Sequence, residues 1–319
     1  MKRKWKILLF ILLIGLVSGG VFASVPGAIN SPFGSYLPTT VERSYNDTLP
    51  SLNFAYDLTQ NVVARFAVAK VMSRPDYTDV VPRINLNQGS LSGSAGNPNL
   101  DPYRADQVDV SIEWYPDKDT AYTAGIYYKK IKSFIVDKPV NEVFPIQSQT
   151  APNGQCTATA TANLFNCPFA VNIRSNGGGG KVKGVELGIV QPIWGGFGAQ
   201  GNYTYSDATL DSGDPVPGNS KNTFNLVGFF ENKLLSARLS YSYRSQFFVS
   251  FDRTTHLDEA ALKELDASLA VNVTENIAVT FEANNLTDEK IVQFADVPSH
   301  PRAIYDNGRV YFFGVKARF

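Results

Sequence analysis

The amino-acid sequence predicts an all-β fold made of the antiparallel strands of a transmembrane β-barrel. Two observations lead to this prediction. Segments of about ten residues alternate apolar with polar side chains, and the connections between them are alternately short and long. Composition agrees, because only 18% of the 319 residues are charged and 12% are aromatic. Beyond the N-terminus no apolar run approaches the ~18 residues that a membrane-spanning helix needs, which excludes a helical membrane protein.

The N-terminus has the features of a secretory signal peptide. A basic start is followed by an apolar run from Ile7 to Val17 and by small residues before a cleavage site after Ala23. An uncleaved membrane anchor is the alternative, but the run is short and glycines interrupt its end. The expected organisation is a signal peptide over 1–23, an irregular lead-in rich in proline and glycine over 24–48, and barrel strands over 49–319.

The alternation of side chains predicts about eleven strands after this lead-in. In the last of them, Tyr311, Phe313 and Val315 fall on one face and Lys316 and Arg318 on the other. The strands are expected near 49–57, 61–72, 105–115, 120–132, 182–192, 197–207, 221–230, 234–246, 264–273, 277–285 and 308–319. Short turns and long loops alternate between them, as in outer-membrane barrels.

A secreted β-sandwich is the alternative to a barrel, because sandwich strands also alternate. The strands here are longer than the ~5–6 residues usual in a sandwich. Their polar faces carry charged residues that a dry core would not accommodate, including Glu113, Arg238 and Glu282. A water-filled lumen accommodates them, so the barrel is favoured.

The charge balance and the counts of cysteine and histidine restrict the function. The 29 Lys and Arg residues balance 29 Asp and Glu residues, whereas nucleic-acid binders carry a basic surplus, so no nucleic-acid partner is expected. Two Cys exclude a disulfide-dense scaffold, and two His disfavour a histidine-based metal centre. No catalytic set with a known spacing is present, so we expect neither an enzyme nor a bound cofactor.

Several motifs, in this order, resemble a known family. They are LPSLNFAYDLT (49–59), AKVMSRP (69–75), GNPNLDPYRADQ (96–107), the glycines 177–180 followed by KGVEL (183–187), NNLTDE (284–289) and GRVYFFGVKARF (308–319). Over about residues 41–319 the chain resembles TonB-dependent outer-membrane receptors. It is most similar to the branch found in relatives of Xanthomonas and Caulobacter, some of which import oligosaccharides.

The resemblance implies a barrel of 22 strands closed by an N-terminal plug, with energy delivered by TonB through a short box before the plug. The eleven predicted strands match the C-terminal half of that barrel. We therefore expect a partial barrel without the plug, with TonB as a partner only if a plug and a TonB box are supplied elsewhere. An open sheet edge in lipid is costly, so the edges need a partner.

Two features are candidates for structural roles. Cys156 and Cys167 lie in the long loop over 133–181, and in an exported loop a disulfide is favoured over two free thiols. The family resemblance implies that the terminal aromatic strand, with Tyr311, Phe313 and Phe319, is the signal read by the barrel assembly machinery. The same residues fit a lipid-facing stripe.

Candidate ligand contacts are less specific. His256 and His300 lie in separate predicted outer loops, where solvated histidines are favoured over a ligand or metal site. By alternation four polar residues point into the lumen, where they line a solute path or hydrate the wall: Glu113, Asn202, Asp266 and Glu282. The nutrient itself is not identified, and a sugar and a metal chelate both fit the loop composition.

The sequence thus predicts a receptor and transporter barrel in the outer membrane of a Gram-negative bacterium, in contact with outer-membrane lipid and taking up a nutrient. A passive pore or structural barrel made by the association of half barrels is the alternative. A fragment, a split gene and a truncated relative all fit the length.

Overall fold

The structure is a computed structural model that describes residues 5–12, 29–31, 34–148, 154–252 and 255–318. These residues are nearly all β, with one short helix, α1 (Tyr77–Val80). In chain order the strands are β1 (Trp5–Leu12), β2 (Ile29–Ser31), β3 (Gly34–Arg43), β4 (Ser51–Thr59), β5 (Val62–Ser73), β6 (Ile84–Asn87), β7 (Ser92–Ala95), β8 (Tyr103–Trp114), β9 (Ala121–Ile131), β10 (Ile135–Gln147), β11 (Thr157–Ala158), β12 (Leu164–Asn176), β13 (Gly180–Trp194), β14 (Phe197–Leu210), β15 (Asn222–Glu231), β16 (Leu235–Arg244), β17 (Phe247–Asp252), β18 (Thr255–Glu259), β19 (Leu262–Asn272), β20 (Ile277–Asn284), β21 (Ile291–Ala295), β22 (Pro301–Tyr305) and β23 (Val310–Ala317). Across the described ranges, no helix has the length and apolar character that crossing a membrane requires.

One large antiparallel sheet, which we call the main sheet, contains the eleven strands predicted from the alternation. Its order is β23-β20-β19-β16-β15-β14-β13-β9-β8-β5-β4. Each main-sheet strand is therefore paired with the main-sheet strand before or after it in the chain. The predicted positions are confirmed to within a few residues at each end.

Short turns and long loops alternate between these strands, as predicted. Two residues join β13 to β14, Gly195 and Gly196, which have φ of 61° and 92°. These are left-handed values that glycine adopts without steric cost. The opposite ends of the strands are joined by long segments, the longest of them between β9 and β13.

The two edge strands of the main sheet run in the same direction. The pair β4–β5 and every neighbouring pair of the sheet from β8 to β23 are antiparallel. At the β5–β8 junction, Tyr115 at the end of β8 donates its N–H to the carbonyl of Asn61 at the start of β5, 2.8 Å away, so these strands are antiparallel too. Because eleven is an odd number, β4 and β23 are parallel to each other.

A small sheet near the N-terminus has the order β1-β3-β2. Within 24–48, where the sequence predicts an irregular course, Gly34–Arg43 is a strand over its whole length. Its proline, Pro38, pairs with Phe10 on one side and lies beyond the residues that β2 pairs with on the other. A proline is accommodated where one side of a strand needs no hydrogen bond. The signal peptide over 1–23 stays a prediction.

The long loops contain sheets of their own. In the compact unit that includes β6, β7, α1 and β10–β12, the order is β10-β12-β7-β6, with β11 added beside β12. We call this the disulfide sheet. Pro139 and Pro145 lie in β10, which is its edge strand, as the missing N–H of proline requires. In the other unit β17-β18-β21-β22 form a second loop sheet, which we call the histidine sheet.

Candidate functional site

One face of the main sheet is apolar and exposed. Across neighbouring strands, Val110 lies opposite Ile126, and Ile126 lies opposite Val185. Farther along, Phe281 lies opposite both Leu269 and Phe313. These side chains are 37% to 75% exposed, the last value being that of Phe313. Such a row of exposed large apolar residues is unfavourable in water and suits contact with hydrocarbon.

The opposite face of the same strands is polar. A continuous row crosses six adjacent strands by direct pairing, from Glu113 through Thr123, Gly188, Asn202 and Asn225 to Ser242. The Nδ2 atom of Asn225 donates to Oδ1 of Asn202 at 3.0 Å. The middle of this row borders a shallow cavity of about 250 Å³. The face is therefore one on which a polar solute or a polar protein surface is accommodated.

Charged groups on the polar face are paired with partners that sequence reasoning did not identify. The Nε atom of Arg65 donates to Oε1 of Glu113 at 2.9 Å, and the hydroxyl of Tyr115 donates to Oε2 of the same carboxylate, also at 2.9 Å. Glu282 and Arg238 share a row, because both lie opposite Ser268. The alternation gave the face of each residue, whereas the strand register gave its partner.

Asp266, the fourth predicted lumen residue, supports the root of a long loop. Its Oδ1 atom accepts the N–H of Asn285 at 2.8 Å. The Asn285 side chain in turn donates to the carbonyls of Glu289 and Gly308, at 3.0 and 3.1 Å. The NNLTDE motif therefore fixes both ends of the segment between β20 and β23.

An ion pair closes the same segment. The Nζ atom of Lys290 lies 2.6 Å from Oδ2 of Asp306. The hydrogen bond from Lys290 holds the pKa of the Asp306 carboxyl below its ordinary value, and the carboxylate raises the pKa of Lys290. Both side chains are about half exposed, so solvent screens the pair.

The two histidines predicted in separate loops accept backbone hydrogen bonds from two consecutive residues at the end of β21. The N–H of Asp296 donates to the carbonyl of His256, and the N–H of Ala295 donates to the carbonyl of His300, both at 3.0 Å. The His256 ring lies 4.8 Å from the ring of Phe248 and 5.2 Å from that of Phe251, measured between centroids. Within the part of the chain that the structure describes, no group of His, Cys, Asp and Glu side chains is arranged to hold a metal ion.

This aromatic cluster of Phe248, Phe251 and His256 was missed at the sequence level. Phe248 is buried, while Phe251 is 53% exposed and presents its ring to solvent. A signal was present, because the run FFVSF at 247–251 lies in a predicted outer loop where polar residues are usual. An exposed aromatic group in such a loop is a candidate contact for a ring-bearing ligand.

Cys156 and Cys167 form a disulfide in the structure. Cys167 is fully buried in a small core with Leu91, Ile146, Phe169 and Val171. The bridge therefore connects the segment before β11 to the centre of the disulfide sheet. Ion pairs surround this sheet, since Arg174 lies 3.0 Å from both Asp79 and Asp137.

The predicted assembly signal lies on the edge strand β23. Tyr311 and Phe313 are on its exposed apolar face, with Val315 beside them. Phe319 lies outside the described residues. Recognition of these residues by the assembly machinery stays a prediction.

The profile of the family described as TonB dependent receptor-like, beta-barrel, matches residues 25–286. The chain belongs to this family. Membership confirms the fold class, all-β with antiparallel strands of a partial β-barrel. Proteins of this family are receptors and transporters rather than enzymes. No curated protein matches the chain.

Solved structures with a similar fold include siderophore receptors. The ferric enterobactin receptor mutant R480A of Pseudomonas aeruginosa, in complex with enterobactin, superimposes with a TM-score of 0.64 at 16% identity, covering 92% of this chain and 43% of that one. The siderophore receptor PirA of Acinetobacter baumannii gives 0.61 at 14% identity, covering 87% and 41%. The chain thus spans about 40% of the length of the first structures that it matches. At these identities the likeness shows the fold alone.

Proposed function

We propose that the main sheet is the lipid-facing wall of an outer-membrane, TonB-dependent receptor that takes up a bulky nutrient. The observation that carries this proposal is the division of the sheet into two faces. On one face, exposed apolar residues lie opposite one another on neighbouring strands, and on the other face a polar row crosses six strands. In a protein surrounded by water, the apolar face would be packed against another part of the protein and not exposed. Lipid on that side and water or protein on the other satisfies both faces.

For the nutrient we propose a ring-bearing compound, either a ferric siderophore or an oligosaccharide, bound by the outer loops. Support comes from the exposed ring of Phe251 beside Phe248 and His256, since rings stack on aromatic and on sugar faces. The solved siderophore receptors share the fold, and the resemblance to the Xanthomonas and Caulobacter branch favours sugars. Energy would come from TonB acting through a plug and a TonB box.

The association of two copies into a passive pore is less compatible with the structure. Both edge strands, β4 and β23, run in the same direction. Two copies inserted with the same orientation would therefore have to join through parallel strands at both seams. Outer-membrane barrels are antiparallel throughout, with an even number of strands in bacterial single chains. The edges instead suit partner strands that run in the opposite direction.

Membrane insertion is tested by placing a charge on either face of the same strand. Val110 is on the apolar face of β8, and its neighbour Ser111 is on the polar face. We expect Val110→Arg to remove most of the full-length chain from the outer-membrane fraction, because an arginine in lipid costs about 2–4 kcal/mol. Ser111→Arg should be recovered like the unchanged protein. Recovery of the unchanged chain from the periplasm without detergent would refute the membrane proposal.

Nutrient binding is tested with two phenylalanines of matched exposure. Phe251 is 53% exposed in the histidine sheet, and Phe197 is 54% exposed beside the short turn between β13 and β14. The detergent-solubilised chain is titrated with ferric enterobactin and with a panel of maltose, xylan and chitin oligosaccharides. We expect Phe251→Ala to weaken binding of one of these classes by about fivefold or more and Phe197→Ala to leave it unchanged. Equal effects of the two variants would refute a loop site at Phe251.

A further inference from the structure

A patch of lysines lies on the lipid-facing side of the main sheet, directly beyond the apolar residues. On β13 the exposed face runs Ile189, Leu187 and Val185 and continues with Lys183 and Lys181. On β9 the same face runs Ile126 and Tyr128 and then Lys130. The change from apolar to basic occurs one same-face position earlier on β13 than on β9, because Lys183 pairs with Tyr128 and Lys181 pairs with Lys130.

The pairing of Lys130 with Lys181 is unfavourable for the isolated sheet. Residues directly opposite on neighbouring strands have Cβ atoms about 4.5–5.5 Å apart, and like charges at that separation repel. Lys183 lies on the same face two residues farther along β13. An anion bound between these ammonium groups would relieve the repulsion.

The surroundings of the patch reduce its positive charge without cancelling it. Asp207 lies 3.3 Å from Lys183, and Asp106 lies opposite Lys130. Lys221 extends the patch, with its Nζ atom 5.7 Å from the centre of the Tyr205 ring. Counted over these residues alone, four lysines and two aspartates leave an excess of two positive charges.

The position of the patch specifies the kind of anion. It lies at the ends of β9 and β13 that lead into the longest loop, away from the short turns. In an outer-membrane barrel the long loops are on the outer side. We propose that the lysine patch (Lys130, Lys181, Lys183 and Lys221) binds the phosphate groups of lipopolysaccharide, with the acyl chains against Val185, Leu187 and Ile126. This proposal rests on the outer-membrane placement proposed above. Clusters of basic residues beside an apolar surface bind anionic lipid headgroups in this way.

The test compares lysines on opposite faces of one strand. Lys130 is in the patch, whereas its neighbour Lys129 is on the polar face, with its Nζ atom 5.6 Å from the centre of the Tyr127 ring. Binding of fluorescent lipopolysaccharide to the full-length, detergent-solubilised chain is measured for Lys130→Ala, for Lys129→Ala and for the combined change of Lys130, Lys181 and Lys183 to Ala. At about fivefold per lysine, Lys130→Ala should bind about fivefold more weakly and the triple variant about a hundredfold more weakly. Lys129→Ala should bind as the unchanged chain does.

Two further binding experiments test whether the phosphate groups of the lipid are what the lysine patch recognises. Enzymatically dephosphorylated lipopolysaccharide should bind the unchanged chain at least about tenfold more weakly than the intact lipid, and a triple change to Arg should retain binding. Equal binding of the intact and dephosphorylated lipids, or a triple Ala variant as tight as the unchanged chain, would overturn the proposal. So would displacement of the lipid by inorganic phosphate at equal concentration, which indicates a site for free anions. If the triple Ala variant does not fold, the dephosphorylated lipid decides the question on the unchanged chain. Failure of outer-membrane recovery, by contrast, refutes the placement and not the patch.

Discussion

The main sheet and the disulfide sheet use the same alternation of side chains with opposite results. In the main sheet the apolar side chains are exposed, as for Phe281 and Phe313. In the disulfide sheet Phe169 and Val171 alternate with exposed residues and are completely buried. A period of two therefore reports which residues share a face, and the medium on that face decides whether apolar residues are inside or outside. In the membrane placement proposed above, lipid covers the apolar face of the main sheet, whereas the apolar residues of the disulfide sheet avoid water by packing in a core.

The largest expected loss of stability is that of a buried phenylalanine in the disulfide sheet, and the same change at an exposed phenylalanine of the main sheet provides the comparison. Phe169→Ala opens a cavity in the small core beside Phe144, whose ring centroid is 5.8 Å away, and should destabilise the disulfide sheet by about 3–5 kcal/mol. Phe281→Ala, on the exposed apolar face, should cost about 1 kcal/mol, because surrounding lipid replaces the lost contacts. Hydrogen exchange of the amides in β12 and β20 measures both. Equal losses would contradict the different environments of the two sheets.

Removal of the disulfide should have a smaller effect that stays within one sheet. In the double variant Cys156→Ala, Cys167→Ala, the disulfide sheet should lose about 2–3 kcal/mol, because the reduced chain has more conformational freedom when unfolded. Exchange should accelerate in β10 and β12, while the main-sheet amides keep their protection. Acceleration across β13–β16 would show that the main sheet depends on the bridge.

The ion pair of Arg65 and Glu113 on the polar face should contribute less to stability than the Phe169 side chain or the disulfide. Arg65 is about half exposed, so a double-mutant cycle of Arg65→Ala and Glu113→Ala should give a coupling of at most about 1 kcal/mol. The stability of the detergent-solubilised chain to denaturant provides the measurement. The pair of Arg174 in β12 and Asp79 in α1 is the matched comparison. A coupling above about 3 kcal/mol for Arg65 would mean that the polar face is shielded from water.

The smallest effect is expected at the loop ion pair of Lys290 and Asp306. The pKa of Asp306 is lowered by Lys290, so its contribution to stability is present above the ordinary carboxyl pKa and is lost as the pH falls through the lowered value. The pKa of Lys290 is raised, so its contribution is present below the ordinary lysine pKa and is lost as the pH rises through the raised value. Exchange of the amides over 285–309 should therefore be slowest between about pH 4 and pH 10, after correction for intrinsic rates. In Asp306→Asn the acid-side change should disappear, and its persistence would assign that change to another group.

The two-residue period of the side-chain alternation and the length of the alternating segments were sufficient to predict the main sheet from the sequence. Each of its strands alternates over ten or so residues, and turn residues mark the short connections, so local pattern and final structure agree. The loop sheets could not be predicted in the same way. Pro139 and Pro145 argue against a strand until β10 is known to be an edge, and β12 pairs in parallel with β7, which lies about 70 residues earlier in the chain.

The candidate site shows the same division between local and long-range information. The faces of Glu113, Asn202, Asp266 and Glu282 followed from alternation. Their partners required the register between strands, as for Arg65 with Glu113 and Asn285 with Asp266. That His256 and His300 both accept backbone bonds from the neighbouring residues Asp296 and Ala295 depends on the pairing of β18 with β21, and no periodicity within either segment indicates it.

The order of the main sheet follows the order of the chain, without a single crossover. A strand added at one edge needs contact only with the strand before it, so the wall can be built one hairpin at a time from either end. The entropic cost of closing each loop then arises only between consecutive strands. For the same reason a pair of strands can be gained or lost during evolution without rethreading the others. A receptor wall of this design can change its circumference by duplication of hairpins while its outer loops diversify independently.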